Sequence, residues 1–508
     1  MHLIRWEDEE GASRFTDDAP ESQYAPSVRE RCDLAVIGAG SGGIGAALAG
    51  ARFGLSVLLV EKADTIGGTA TRGGVHTWEP GVGGTGIPFE IYRRMTQIPD
   101  AVGVYSFGRQ FAAGVAPGEP PFPGGEVVID PSRRYADTVF GHPGHETFDD
   151  AFRRERWHGV VFEPEPYAVV VEDMLAETGR CTLLKNTALR DVDADFGRIA
   201  AILLDDGREV EAGTYVDCTG DGVLCTACGC ESMTGQESRR TFDEPDAPEQ
   251  ATDRVNGVSL IYRVTPTDQA RIEALSSDVP AECWWAAGFP VVRAARYPCG
   301  DYNMNTLPTM EGEQFMRLGH RRAYPECRRR VRAHWHHCQT VFPEFRGYRL
   351  SRIAPMLGVR ESRRIVGEYV LTEHDLLAGI SSRQHPDIIA IADHAMDRHG
   401  EGGGCRELRE PYGVPYRCLI PKGFRNLLVA CRAASATSIA ASSCRLSRTM
   451  LQLGQAAGTA AAVAKQLGVP LPEVPPDALR RALREQHAQL DWPTPPGLLE
   501  YLDAEQAQ

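Results

Sequence analysis

Glycines 38, 40 and 43, in Gly38-Ala39-Gly40-Ser41-Gly42-Gly43, have the spacing G-x-G-x-x-G. A stretch of this kind binds phosphate well, because no side chain keeps a ligand away from the backbone N–H groups. Gly38 permits a tight turn, Gly40 lets the backbone approach a pyrophosphate, and Gly43 lets a helix lie close on a strand. Glu61 stands 18 residues beyond Gly43 and offers a carboxylate to a ribose with free hydroxyls. The chemistry implied is dinucleotide binding, with a preference against a 2′-phosphate. The bland alternative is a structural turn without ligand, and the flanking elements decide against it.

Two other clusters invite a metal reading. Cys218, Cys225, Cys228 and Cys230 form C-x6-C-x2-C-x-C, which fits no standard cluster spacing. Buried cysteine is also a common small hydrophobe. On a helix, His334, His337 and Cys338 would share a face, with His336 beside them. Arg328, Arg329, Arg330 and Arg332 oppose a cation there, so a partly exposed basic helix is the favoured reading. No metal is expected.

The elements around the glycines give them their meaning. Residues 32–37 are a short apolar run that ends in glycine, which reads as a buried strand. Residues 42–53 are small and helix-compatible, and residues 56–60 form a second buried strand. Strand, turn, helix and strand make one βαβ unit of a parallel sheet. Residues 79–147 are rich in Gly and Pro and are expected as loops and short helices over a site. Further on, a helix is expected at 167–177 and short strands at 181–217, with Asp205-Asp206-Gly207 as a hairpin turn. A strand in another layer is expected at 258–264, an arginine-rich helix at 311–340, and a small-residue helix at 446–466.

Composition narrows the function. The 508 residues carry 54 basic and 69 acidic side chains, a net charge of −15, which opposes a phosphate-backbone partner. Mean hydropathy is −0.29 and no run of about 18 uncharged apolar residues occurs, so no membrane span is expected. The first residues, MHLIRWEDEEGASRF, lack an apolar core for a secretory leader; a cytoplasmic setting with reduced thiols is expected.

Beyond Glu61-Lys62, the stretch Gly67-Gly68-Thr69-Ala70-Thr71 followed by Gly73-Gly74 resembles the FAD-dependent oxidoreductases of the glutathione-reductase-like superfamily. Val216-Asp217-Cys218-Thr219-Gly220-Asp221-Gly222 is similar to the segment that returns to the dinucleotide in that group. Leu357-Gly358-Val359-Arg360-Glu361-Ser362-Arg363-Arg364 is similar to the signature of a branch distantly akin to fumarate reductase flavoproteins. Pro415-Tyr416-Arg417-Cys418-Leu419-Ile420-Pro421, Asn426 to Ala430, and Leu453-Gly454-Gln455-Ala456-Ala457-Gly458-Thr459-Ala460 complete the pattern. Cys218 and Cys431 stand where Ala and Gly are more usual.

The resemblance implies an α/β fold with FAD as cofactor. A discontinuous Rossmann-like FAD-binding domain would use residues 32–95, 155–235 and 405–468. A substrate domain would use 96–154 and 236–404, between a lead-in at 1–31 and a tail at 469–508 that packs outside, helical at 479–490. Cofactor contacts fall to Gly38, Gly40, Gly43, Glu61, Lys62, Gly68, Thr69, Gly73, Gly74, Thr219, Gly220, Asp221, Arg432, Arg445 and Gly454.

The candidates for catalysis are His76, Arg360, Tyr416 and Arg417. His76 follows Gly73-Gly74 and suits proton transfer. Arg360 and Arg417 suit carboxylates or flavin carbonyls, and Tyr416 suits a proton donor. Arg363 and Arg364 read as surface ion-pair residues. The expected reaction is hydride transfer from a small organic substrate to flavin N5, by an oxidase or dehydrogenase. The alternatives are a reductase of an activated double bond, a tRNA-modifying flavoprotein and a non-catalytic flavin-fold binding protein. No second strand–G-x-G-x-x-G–helix–acid unit follows Glu61, and residues 62–90 hold no cysteine. The substrate itself is therefore expected to reduce the flavin, with oxygen, a quinone or a partner protein as electron acceptor.

Overall fold

The computed structural model describes residues 28–106, 111–112, 126–139, 157–279, 291–297, 299–400 and 403–506. Most of the 1–31 lead-in lies outside the described residues, as does part of the 79–147 stretch.

A seven-stranded sheet carries the glycine motif. Its centre is the strand Val28–Ile37, which lies parallel to Val57–Val60 on one side and to Arg208–Asp217 on the other. Cys181–Leu184 extends the parallel set beyond Val57–Val60, and Leu427–Val429 extends it beyond the C-terminal end of Arg208–Asp217. Leu34 to Ile37 and Val57 to Val60 are buried throughout, as expected of strands covered on both faces. The hairpin turn at Asp205-Asp206-Gly207 is present and joins Arg198–Leu204 antiparallel to Arg208–Asp217. The first strand starts at Val28, earlier than its apolar run, because Arg29 and Arg31 pair with Glu209 and Glu211 across the ladder.

The helix Ser41–Arg52 crosses the helix Ser447–Leu467 through glycine. A Cβ at Gly42 would run into the Ala430 carbonyl, one at Gly45 into Leu451, one at Gly454 into Gly42, and one at Gly458 into Ala46. The two backbones lie in direct contact, and every residue from Arg448 to Ala464 is buried.

A second, nine-stranded sheet runs in the order Tyr348–Ile353, Tyr262–Pro266, Tyr302–Leu307, Val291–Arg296, Glu126–Ile129, Val102–Ser106, His158–Phe162, Thr77–Trp78, with Phe111–Ala112 beside Val291–Arg296. The expected strand at 258–264 therefore starts later, at Tyr262. Thr77–Trp78 and His158–Phe162 belong to this sheet, although the sequence grouped them with the nucleotide-binding part. The described part of 79–147 contains a helix, Ile87–Met95, and strands of this sheet, so it is more than loop. The helix Gly312–Val341 lies on the second sheet and buries Val331, Trp335 and Cys338 among Tyr262, Val264 and Met304.

The C-terminal tail does not pack outside. Leu479, Leu483, Leu490 and Leu502 join the main core. The Gln489 N–H donates to Thr85 Oγ1 at 3.0 Å, and its side chain accepts the Gly83 N–H at 2.9 Å. Burying four leucines leaves the tail no outer surface of its own along that face.

Candidate functional site

Gly38 turns with φ +96°, a region open to glycine, and a Cβ there would lie 2.6 Å from the Cys218 carbonyl oxygen. The turn delivers the chain to the N-terminus of the helix Ser41–Arg52, whose cap residue, Gly40, has no side chain to satisfy the free N–H groups. Among the described residues, nothing lies within 4 Å of where a Gly40 Cβ would stand. Ser41 Oγ is buried beside it without a hydrogen-bond partner among the described residues. An open space, free helix N–H groups and an orphaned hydroxyl together fit a phosphate group. The turn at Gly67 and Gly68, with φ +103° and +55°, brings Gly68 against Gly40, so that its Cβ position would be 3.1 Å from Gly40 Cα. Gly43 packs against the Gly38 carbonyl and serves helix–strand contact.

Glu61 ends the second strand. Its carboxylate accepts the N–H groups of Ala39 at 2.8 Å and Ala63 at 2.9 Å. Burial raises its pKa despite those two donors. Lys62 is exposed, and Thr69 is half-buried. Gly73 abuts Thr69, and Gly74 abuts Ile261 and Ala354, so these two glycines close the inner end of the loop.

The return segment meets this turn. Asp217, which the sequence reading left without a role, is fully buried and accepts from Thr219 N and Oγ1 and from Cys225 N at 2.8–3.0 Å. Those bonds hold the turn rigid. Thr219 Oγ1 in turn accepts the Val223 N–H. Gly220, with φ +84°, lies under the Arg432 guanidinium. Asp221 accepts from Arg432 Nη2 and from Ser362 Oγ, both at 2.6 Å, with His320 Nε2 at 3.7 Å. Burial alone would raise the Asp221 pKa; Arg432, His320 and Ser362 outweigh it and hold it well below the usual carboxylate range. Gly220, Asp221 and Arg432 therefore do come together. Gly454 does not join them: it lies in the helix seam, where its place was expected at the cofactor.

The four expected catalytic residues are dispersed. His76 is 1% exposed, donates from Nε2 to the Thr71 carbonyl at 3.1 Å, and has Asn303 Nδ2 at 3.4 Å from Nδ1. Burial lowers its pKa to about 3, so the ring is neutral and held on both sides. Tyr416 is buried and donates to the Leu471 carbonyl at 3.1 Å, tying down the tail. Arg417 forms a forked pair with Asp387 at 3.0–3.2 Å, over the Tyr369 ring, with 42% of its side chain exposed. Its partners are the Asp387 carboxylate and the His385 ring, and it faces solvent. These three are correspondingly poor proton or substrate handlers where they stand.

Arg360 differs. Its one hydrogen bond among the described residues goes from Nη1 to the Gly257 carbonyl at 2.8 Å, and it has no ion-pair partner among them. Burial, helped by Arg445, lowers its pKa to about 9. Arg364, four residues on, is fully buried, contrary to the surface reading; it pairs with Glu361 and with Glu237 at 2.6 Å, and donates to the Gly235 and Ala436 carbonyls. Arg445 donates to the Ser442 carbonyl and to Asp397 at 3.1 Å. Asp397 also holds His399 Nε2 at 2.6 Å, a pair the sequence reading missed. Its only signal was the D-x-H spacing just before a glycine run.

In a search of curated proteins, nothing matched the chain. Solved structures resemble it in outline. A geranylgeranyl bacteriochlorophyll reductase-like protein from Thermoplasma acidophilum is 12% identical, with TM-score 0.43, over 94% of this chain and 92% of that one. The anhydrotetracycline hydroxylase OxyS from Streptomyces rimosus is 15% identical, with TM-score 0.41, over 94% and 69%. An L-amino acid deaminase from Proteus myxofaciens is 12% identical, with TM-score 0.38, over 88% and 92%. Scores this low carry no argument about chemistry. The family model "FAD dependent oxidoreductase" matches residues 33–483, which with the glycine cradle, the free helix N-terminus and the return segment makes this chain a member of the FAD-dependent oxidoreductase family and an FAD-binding enzyme.

Proposed function

We propose that the enzyme oxidises a small organic anion by removing a hydride from carbon. The observation that carries this reading is Arg360, a half-buried guanidinium with no carboxylate hydrogen-bonded to it among the described residues, on a segment whose Ser362 bonds Asp221 of the nucleotide-return turn. A desolvated cation of this kind is stabilised by a bound anion. Gly40, Ser41 and Gly68 would hold the FAD pyrophosphate, Glu61 the adenosine ribose, and Asp221 with Arg432 the stretch toward the ring. When bound, FAD supplies a two-electron acceptor at N5. The chain's own residues hold the substrate's charge and its reacting carbon in place and keep water from them. The second sheet is the substrate side in this reading. Electrons leave to oxygen, a quinone or a partner protein, since one dinucleotide motif serves FAD and no second follows it.

Two measurements test this. Gly40→Val should fold, because the space beside Gly40 is empty, yet purify without flavin absorbance; a folded, yellow variant would remove the phosphate assignment. Anaerobic stopped-flow mixing with NADH or NADPH should bleach the wild-type flavin slowly or not at all, whereas an organic acid from a metabolite panel should bleach it. Reduction by either nicotinamide within about a second would reverse the proposed direction of electron flow.

A further inference from the structure

His399 and Arg360 are braced by one short piece of backbone. The His399 N–H donates to Asn256 Oδ1 at 2.8 Å, and its carbonyl accepts the Gly257 N–H at 2.9 Å. Arg360 Nη1 donates to the Gly257 carbonyl at 2.8 Å, and Asn256 donates from N and Nδ2 to Glu361 at 2.9 and 2.7 Å. Asn256-Gly257 thus fixes the His399 backbone relative to the Arg360 guanidinium, which has no ion-pair partner among the described residues. Glu361 is in turn locked by Arg364 and by Ser438 Oγ. The brace is stiff on both sides, which is the condition for a group that must keep its aim.

The ring itself has one occupied and one open nitrogen. Nε2 lies 2.6 Å from Asp397 Oδ2. Burial alone would raise Asp397; the hydrogen bond from His399 and the Arg445 charge act against it and hold it below the usual carboxylate range. An ionised carboxylate requires Nε2 to carry the hydrogen, so Nδ1 holds the lone pair. Nδ1 makes no hydrogen bond among the described residues, and the side chain keeps 15% of its surface open. The charged and titratable neighbours are Arg360, Arg445, Asp397, His394, Glu79 and Cys405. Burial, then Arg360, lower the His399 pKa to about 4, against the pull of Asp397.

We propose that His399 is the proton acceptor of the oxidation, with Asp397 as the residue that positions it. This rests on the oxidation of a small anion proposed above. The substrate class is an organic anion with a hydroxyl or amino group on the reacting carbon. Its charge sits on Arg360. The O–H or N–H bond breaks to Nδ1, the C–H bond breaks with its electron pair, and a C=O or C=N bond forms. With FAD bound, the hydrogen and both electrons would leave together as hydride to that cofactor, so oxidation and reduction balance. An anion on Arg360 cancels the charge that depresses the imidazole, and the base therefore strengthens when substrate arrives.

The test uses the FAD-loaded enzyme with labelled histidine, and acetate as the anion probe. The His399 ring resonances, identified by their absence in His399→Gln, should report the Nε2–H tautomer at neutral pH. Acetate should raise the His399 titration midpoint by about one unit, a tenfold gain in proton affinity. Arg360→Gln should abolish that response, and Asp397→Asn should give a mixture of tautomers. With a substrate found by flavin bleaching, His399→Gln should slow the limiting reduction rate by about 10²- to 10⁴-fold with little change in KM. A ring that ignores acetate, is protonated at neutral pH, or can be replaced without loss of rate overturns the proposal. Flavin absorbance separates the failures: wild-type protein without FAD sinks the oxidation reading, whereas loaded enzyme with an indifferent His399 sinks the proton acceptor alone.

Discussion

The helix seam and the Arg360–Arg364 segment are both interior, but they fail in opposite ways. The seam is backbone on backbone: Gly42, Gly45, Gly454 and Gly458 leave no room for a methyl group, and no charge is involved. The arginine segment is built of charge, and its two ends are treated differently. Among the described residues, Arg364 has two carboxylates and two carbonyls, whereas Arg360 has one carbonyl. A fully paired buried cation belongs to the fold; one left short of partners is available to a ligand.

The largest effect should come from the seam. Gly454→Val would force the two helices apart, and overpacking without an escape route should leave little folded protein, seen as loss of cooperative melting and of bound FAD. Arg364→Ala should come next: it strands Glu361 and Glu237 in the interior and should cost about 3–5 kcal/mol in denaturant unfolding. Arg360→Ala breaks no ion pair, so its melting temperature should stay near wild type. Its turnover should fall by about 10- to 150-fold, the worth of one charged hydrogen bond at about 1.5–3 kcal/mol. Similar behaviour of the two arginine variants would erase the contrast between them.

The smallest effect is one of pH. His76 is neutral when folded, with a pKa near 3, and near 6.5 when unfolded. Between those values the unfolded chain binds the extra proton, so stability falls as pH drops through the window. The slope from this residue is up to about 1.4 kcal/mol per pH unit. His76→Asn should flatten that part of the stability profile. An unchanged slope would mean the ring is hydrated in solution.

What could be foreseen was local in the chain. The turn at Gly38, the helix after it and the hairpin at Asp205-Asp206-Gly207 each declare themselves within a dozen residues, because their signals are spacing and apolar runs. The same motif reading misplaced Gly454: glycines four apart on a helix share a face and signal close packing as readily as ligand contact. His76 and Tyr416 looked chemical by type and neighbourhood, but burial decides whether such groups meet a substrate, and burial is a property of distant segments. The His399 pair was hidden for the same reason. Its brace comes from Asn256 and Gly257, far earlier in the chain, and its charge environment from Arg360 and Arg445 on two further elements.

The seam also sets a timetable for synthesis. The glycine helix leaves the ribosome well before the helix that closes on it, which follows about 400 residues later. At roughly 5–20 residues per second the first helix waits some tens of seconds with its packing face uncovered. Contacts of such long range slow folding and lengthen exposure to wrong partners. A nascent chain stalled before residue 447 would present that bare glycine face to solvent or to a chaperone, and the dinucleotide cradle at its end would lack the helix that braces it.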